Sequence, residues 1–153
     1  MINFKKNILL FIFVFTTTCG FSPLLNSEKI NFYIGDLKFE GDREVNKYIL
    51  QNLKKFKQPK DNSIEYNLIV SSNYQKQIIN KDDKGNPKNY NLYATINVSI
   101  ILNGEIISNR TFERNTPLSA KTKKITEIET EKKYKKNMSI LLSEDIVFFL
   151  TNQ

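Results

Sequence analysis

Residues 64–104 read IEYNLIVSSNYQKQIINKDDKGNPKNYNLYATINVSIILNG, and the alternation in this stretch decides the fold. From Ile64 the even positions are Ile64, Tyr66, Leu68 and Val70, then Ser72, Tyr74, Lys76 and Ile78. The odd positions are Glu65, Asn67, Ile69, Ser71, Asn73 and Gln75. Successive side chains on a strand point to opposite faces, so this is a strand with one apolar and one polar face. Asp82, Asp83, Gly85, Asn86 and Pro87 form a turn-rich loop. The next strand places Tyr90, Leu92, Ala94, Ile96, Val98, Ile100 and Leu102 on one side, with Asn91, Tyr93, Thr95, Asn97 and Ser99 on the other. Asn103-Gly104 is a strong signal for a second hairpin, because both residues tolerate positive φ.

After that turn two registers compete. A two-residue turn sets Ile107, Asn109 and Thr111 opposite the apolar face. One extra loop residue instead sets Ile106, Ser108, Arg110 and Phe112 there. The second is favoured because it buries Phe112, and the mixed pattern suits an edge strand. Residues 113–122, with Pro117, read as a loop. A long helix is expected over 124–151, with Met138, Leu141, Leu142, Ile146, Phe149 and Leu150 as its apolar stripe. The first half of that helix is charged. Glu129–Lys133 and Glu131–Lys135 have the spacing of helical ion pairs, and a solvated face accounts for the run.

Upstream, Ile30, Phe32 and Ile34 alternate, and Leu37 and Phe39 resume one residue out of phase. A bulge at Gly35 is therefore expected in a first strand over Ile30–Phe39. Asp42 is a suitable N-cap for a helix over 43–57, where Val45, Ile49, Leu53 and Phe56 share one face and Pro59 ends the run. The order is β-α-β-β-β-α. The expected fold class is α+β: a two-layer sandwich with a mixed four-stranded sheet, a right-handed first crossover and two helices on one face. The other face of the sheet is left polar and open.

The 153 residues contain 40% hydrophobic and 25% charged residues, which suits a globular chain with room for one sizeable core. Lys5 and Lys6, the apolar run Ile8–Phe15 and the small residues Thr16–Thr18 lead into Cys19, the single cysteine. The run is too short to span a bilayer, which takes about 20 apolar residues. Small residues ending at a Cys resemble a lipobox, although Thr16 and Thr18 stand where Leu and Gly, Ala or Ser are usual. Residues 1–18 are accordingly expected to be a lipoprotein signal peptide and 19–29 a lipidated tether, with Pro23 excluding a helix start. Residues 30–153 are expected to form a single periplasmic α+β domain. Diacylation of Cys19 would hold it on a membrane, and Gly20 after the Cys favours the outer membrane.

Catalysis has little to work with. The chain has no His, its five glycines are scattered, and an acylated Cys19 is no nucleophile. No enzyme, metal or cofactor is expected beyond the covalent lipid. The formal charge is +7, of which Lys5 and Lys6 leave with the signal segment. Lys76, Lys81, Lys84 and Lys88 flank the tip of the first hairpin, where Lys81, Lys84 and Lys88 are candidates for gripping phosphates; a solvated loop tip is the alternative. Nucleic acid is a poor candidate for an exported chain that lacks an aromatic-studded strand face.

The run Cys19-Gly20-Phe21-Ser22-Pro23-Leu24-Leu25 resembles the mature start of lipopolysaccharide-assembly lipoproteins of the LptE family, alphaproteobacterial type, where Cys-Gly-Phe-x-Pro-Leu-Tyr is common. Leu25 departs from the usual Tyr, while element order and length agree over nearly the whole mature chain. The resemblance implies an outer-membrane protein on the periplasmic side. It would plug an LptD-like β-barrel and help insert lipopolysaccharide, with the barrel and lipopolysaccharide as partners. A polar sheet face would suit a hydrophilic barrel lumen. The competing expectation is another periplasm-facing lipoprotein, acting as a lipid-binding or envelope-scaffold module.

Overall fold

The centre of the sheet is a long antiparallel hairpin of β2 (Ile64–Lys81) and β3 (Pro87–Leu102), flanked by β1 (Phe32–Gly41) and β4 (Glu105–Ser119) in the order β1-β2-β3-β4. These boundaries come from a computed structural model of the chain, in which residues 30–59 and 61–153 are described. The expected signal segment 1–18, Cys19 and the tether 19–29 lie outside the described residues. β1 runs parallel to β2 and the other pairs are antiparallel, so the sheet is mixed. With α1 (Arg43–Leu53) and α2 (Lys124–Thr151) the order is β-α-β-β-β-α, the α+β arrangement expected from the alternation.

The even residues of the central strands form the core. Tyr66, Leu68, Val70, Leu92, Ala94, Ile96, Val98 and Ile100 are buried, and Val45, Ile49 and Leu53 of α1 pack against them. Burying each such aliphatic side chain contributes roughly 1.5–3 kcal/mol, so this layer is the main source of stability. Asp42 caps α1 as expected, its Oδ1 accepting from Glu44 N at 3.0 Å and Val45 N at 2.8 Å. The helix then tightens into a 3-10 turn at Lys54–Phe56 instead of running on to 57. The turn places Phe56 on Phe32, with ring centroids 6.0 Å apart. The bulge expected at Gly35 is present as a register shift between Ile34 and Leu37.

The second hairpin combines the two competing registers. Leu102 pairs with Glu105 across a two-residue turn in which Asn103 and Gly104 have φ of 52° and 87°. A register shift between Ile100 and Ile101 then absorbs one residue, so that Ile96 faces Phe112 and Ile100 faces Ser108. The favoured pairing holds for Ser108, Arg110 and Phe112 but not for Ile106, which pairs with Ile101, and a bulge produces it instead of a longer loop.

Residues 113–119, expected as loop, continue β4. Pro117 sits opposite Asn91 on the outermost strand, where a missing N–H removes nothing the sheet needs, and Leu118 is 2% exposed. The stripe of α2 also differs. Leu141 is 45% exposed, while Ser139, Ser143 and Val147 are buried. Asn52, Leu53 and Phe56 lie together with Ser143 and Val147, so Ser143 faces α1, and Ser139 is buried one turn before it. Their hydroxyls donate back into the helix, Ser139 Oγ to Lys135 O at 2.8 Å and Ser143 Oγ to Ile140 O at 2.6 Å.

Candidate functional site

The tip of the β2–β3 hairpin is a preformed loop. Asp82 N donates to Asn86 O at 2.8 Å, and Gly85 N donates to Asp82 O at 2.9 Å. The Asp82 carboxylate accepts from Lys84 N, Asn86 N and Asn86 Nδ2 at 2.8–3.1 Å. Those bonds, the Asn86 side chain first, hold its pKa below the usual carboxylate value. Ala120 N donates to Lys88 O at 2.9 Å, which lays the β4–α2 loop beside the tip.

The gap between the tip and that loop is a groove of about 740 Å³, walled by Lys81, Lys88 and Lys121, with Asp82, Asp83 and Asn86 along the hairpin side. Three ammonium groups on two chain segments can hold a phosphate from more than one direction, and the Asp82 carboxylate is already occupied by its own turn.

The expected lysines therefore separate. Lys81 and Lys88 line the groove, and Lys84 is exposed on the turn outside its wall. Lys76 is not part of this patch. Its Nζ donates to Glu127 Oε1 at 2.9 Å and Glu131 Oε2 at 2.8 Å, and lies 4.1 Å from the centroid of the Tyr90 ring. Burial alone would lower the Lys76 pKa, but the bonds to Glu131 and Glu127 outweigh it and the net shift is upward.

Lys121 is the groove residue that the strand pattern could not reveal. It lies 33 residues from Lys88 in sequence, and only the pairing of β4 to its end at Ser119 brings it close. Glu127 then fixes it: Lys121 N donates to Glu127 Oε2 at 3.2 Å, and Lys124 Nζ donates to Glu127 Oε1 at 2.7 Å. Glu127 is 2% exposed, and Lys124 first, then Lys76, pull its pKa down to about 2.

The charged run of α2 is thus turned inward in part, a correction to the solvated reading. Glu131 reaches Lys76 and accepts from Tyr74 Oη at 3.0 Å. Burial first, and that bond second, raise the Tyr74 pKa. Lys135 pairs with Asp42 and Glu44 at 3.5 and 3.2 Å rather than with Glu131. The physical reason is coverage. α1 starts level with the middle of β2, where Gly41 pairs with Ser72, so the distal helix-side face meets only this polar half of α2.

The opposite sheet face has no covering layer among the described residues. It carries amides and hydroxyls in ladders, with Asn97 Nδ2 donating to Thr111 Oγ1 at 3.0 Å and Asn109 Nδ2 to Ser99 Oγ at 2.9 Å. Asn67, Ser71, Asn91, Tyr93 and Thr95 extend it, all half-buried. Such a face can exchange hydrogen bonds with a wet partner without desolvating many charges.

No protein-family model matches the chain, and no curated protein matches it. Solved structures do share the fold. Rare lipoprotein B from Shewanella oneidensis superposes with a TM-score of 0.58 at 12% identity, covering 77% of this chain and 95% of its own. A minor lipoprotein from Acinetobacter baumannii gives 0.59 at 17% identity, covering 80% and 93%. Lipoprotein B from Nitrosomonas europaea gives 0.56 at 9% identity, covering 77% and 81%.

Proposed function

We propose that this chain is a non-catalytic outer-membrane lipoprotein, acylated at Cys19, that plugs an LptD-like barrel and assists insertion of lipopolysaccharide. The observation that carries the reading is the asymmetry of the sheet: one face packs its apolar centre under two helices, and the other, among the described residues, is an uncovered ladder of amides and hydroxyls. A polar, lightly charged face suits the hydrophilic inner wall of a barrel. The shared fold with solved bacterial lipoproteins and the Cys19-Gly20-Phe21 start support the same assignment. In this reading the Lys81, Lys88 and Lys121 groove takes phosphate groups of the glycolipid, with Lys84 at its margin.

Crosslinking in outer membranes followed by pull-down in detergent tests the plug. A barrel of much larger mass should come out with the chain, through crosslinks placed on the open face at Asn97 and Asn115. Recovery of the chain alone, or crosslinks only to soluble envelope proteins, would favour a scaffold or lipid-binding lipoprotein instead. Labelling with a fatty-acid analogue tests the anchor separately, since Cys19→Ala should abolish incorporation.

A further inference from the structure

We infer that the end of the sandwich from which the chain leaves toward Cys19 is a seat for a phospholipid surface, entered by the β3–β4 turn. The register fixes which groups share that end. Phe32, two residues after the described chain begins, pairs with Ile64, and Ile64 N donates to Asn31 O at 2.8 Å. Carrying the Asn67–Ile101 pairing three residues outward brings Ile64 level with the Asn103-Gly104 turn. α2 ends here too, with Leu150 and Thr151 beside Phe32 and Ile64.

The turn is apolar on both sides. Ile101 and Leu102 precede it, half-buried with Leu102 against the core, and Ile106 and Ile107 follow Glu105 on opposite sides of the strand, both exposed. Ile106 is 63% exposed, Ile107 45%, Ile64 48%, and Phe148 in the last turns of α2 is 60% exposed. An Asn-Gly turn needs no apolar flanks to form, and a cluster of exposed apolar side chains marks a contact surface.

Lipid is the occupant because of where the chain goes. Between Cys19 and Ile30 it spans about 36 Å at full stretch, so an acylated Cys19 keeps this end within reach of the bilayer it is anchored in. Lys54, Lys55 and Lys57 are exposed around Phe56, which stacks on Phe32 at the same end, and supply positive charge for anionic headgroups there. Asp61 and Glu105 offset part of that charge, so insertion of the isoleucines supplies most of the attraction to the bilayer. Ile78, Ile79, Ile125 and Ile128 are also exposed, but they lie toward the opposite end, away from the chain exit. The seat rests on the Cys19 anchor of the proposed function and requires no barrel.

The test uses the full chain extracted from membranes and reconstituted in phosphatidylethanolamine–phosphatidylglycerol vesicles without barrel or lipopolysaccharide. Ile106→Cys and, separately, Asp83→Cys carry an environment-sensitive thiol fluorophore, while an acylated Cys19 takes none. The label at 106 should shift to the blue and be quenched several-fold more strongly by shallow lipid quenchers than the label at 83. Equal weak quenching at both positions, or deeper quenching at 83, overturns the seat. If the unsubstituted chain takes label at Cys19, the acyl anchor fails on its own. The same pair of labels in a Cys19→Ser background, where the uncleaved leader holds the chain on the vesicle, then decides the seat.

Discussion

Glu127 of α2 and Lys76 of β2 meet at 2.9 Å inside the gap between helix and sheet, where the carboxylate side chain is only 3% exposed. In most of this sandwich that gap is filled by aliphatic side chains, and at its distal end ions take their place. A buried pair contributes little net stability relative to a packed apolar replacement, but removing one member strands the other and costs about 3–5 kcal/mol in fully buried cases. Lys76 keeps Glu131 as a second partner, so Glu127→Gln should destabilise by roughly 2 kcal/mol, less than that limit. Urea unfolding at neutral pH measures it, and a change below about 0.5 kcal/mol would mean the network carries no stability.

The same carboxylate sets an acid limit. Its folded pKa of about 2 lies below the unfolded value, so it stabilises the fold above the unfolded pKa, and that stabilisation disappears as pH falls through about 4 toward 2. Unfolding midpoints of the native chain and Glu127→Gln should therefore converge between pH 5 and pH 2. Parallel curves over that window would show that Glu127 is not held in its ionised form by the fold.

Gly41 is where β1 hands over to α1, with φ of +89°. A Cβ there would stand 1.8 Å from Ser72 O, a backbone atom held in the sheet, so the clash cannot be relieved by turning a side chain. Gly41→Ala should cost more than about 2 kcal/mol through the steric overlap and the left-handed conformation together. Gly85, whose Cβ would meet nothing within 4 Å, provides the contrast: Gly85→Ala carries only the conformational penalty. Equal effects at the two sites would remove the close approach as the cause.

Leu141 and Leu142 are adjacent in sequence, and the fold separates them. Leu142 is fully buried and Leu141 is 45% exposed. Leu142→Ala should cost about 2–5 kcal/mol and Leu141→Ala well under 1 kcal/mol, measured as unfolding free energies. The reverse order would mean the helix is rotated from the position described.

These contrasts show how much is legible in the sequence alone. Period-2 alternation within 64–78 and again within 90–102 determines faces, pairing and layer order, because one slipped residue would expose the whole core. Asp42 and Asn103-Gly104 are readable because each acts locally. Periodicity misplaces Leu141 because a 28-residue helix packs against the sheet along one stripe and against α1 along another, and Ser143, which faces α1, is not apolar. β4 beyond Phe112 escapes the strand pattern because an edge strand tolerates Pro117. The groove is half legible: Lys81 and Lys88 flank one turn, whereas Lys121 joins them only through tertiary pairing.

That pairing gives the last prediction, on the glycolipid itself. If the groove grips phosphates, the lysines that wall it should matter more than the one that does not. Lys81→Glu, Lys88→Glu and Lys121→Glu together should weaken lipopolysaccharide binding at least about tenfold, since hydrogen bonds to charged groups contribute roughly 1.5–3 kcal/mol each. Lys84→Glu, outside the wall, should change Kd less than any of the three alone. Binding of the native chain should also fall with added salt, and the triple variant should lose most of that dependence. Unchanged affinity in the triple variant, with unfolding midpoints like those of the native chain, would leave the groove as a solvated loop tip. A large effect at Lys84 alone would move the contact outward to the exposed crest of the turn.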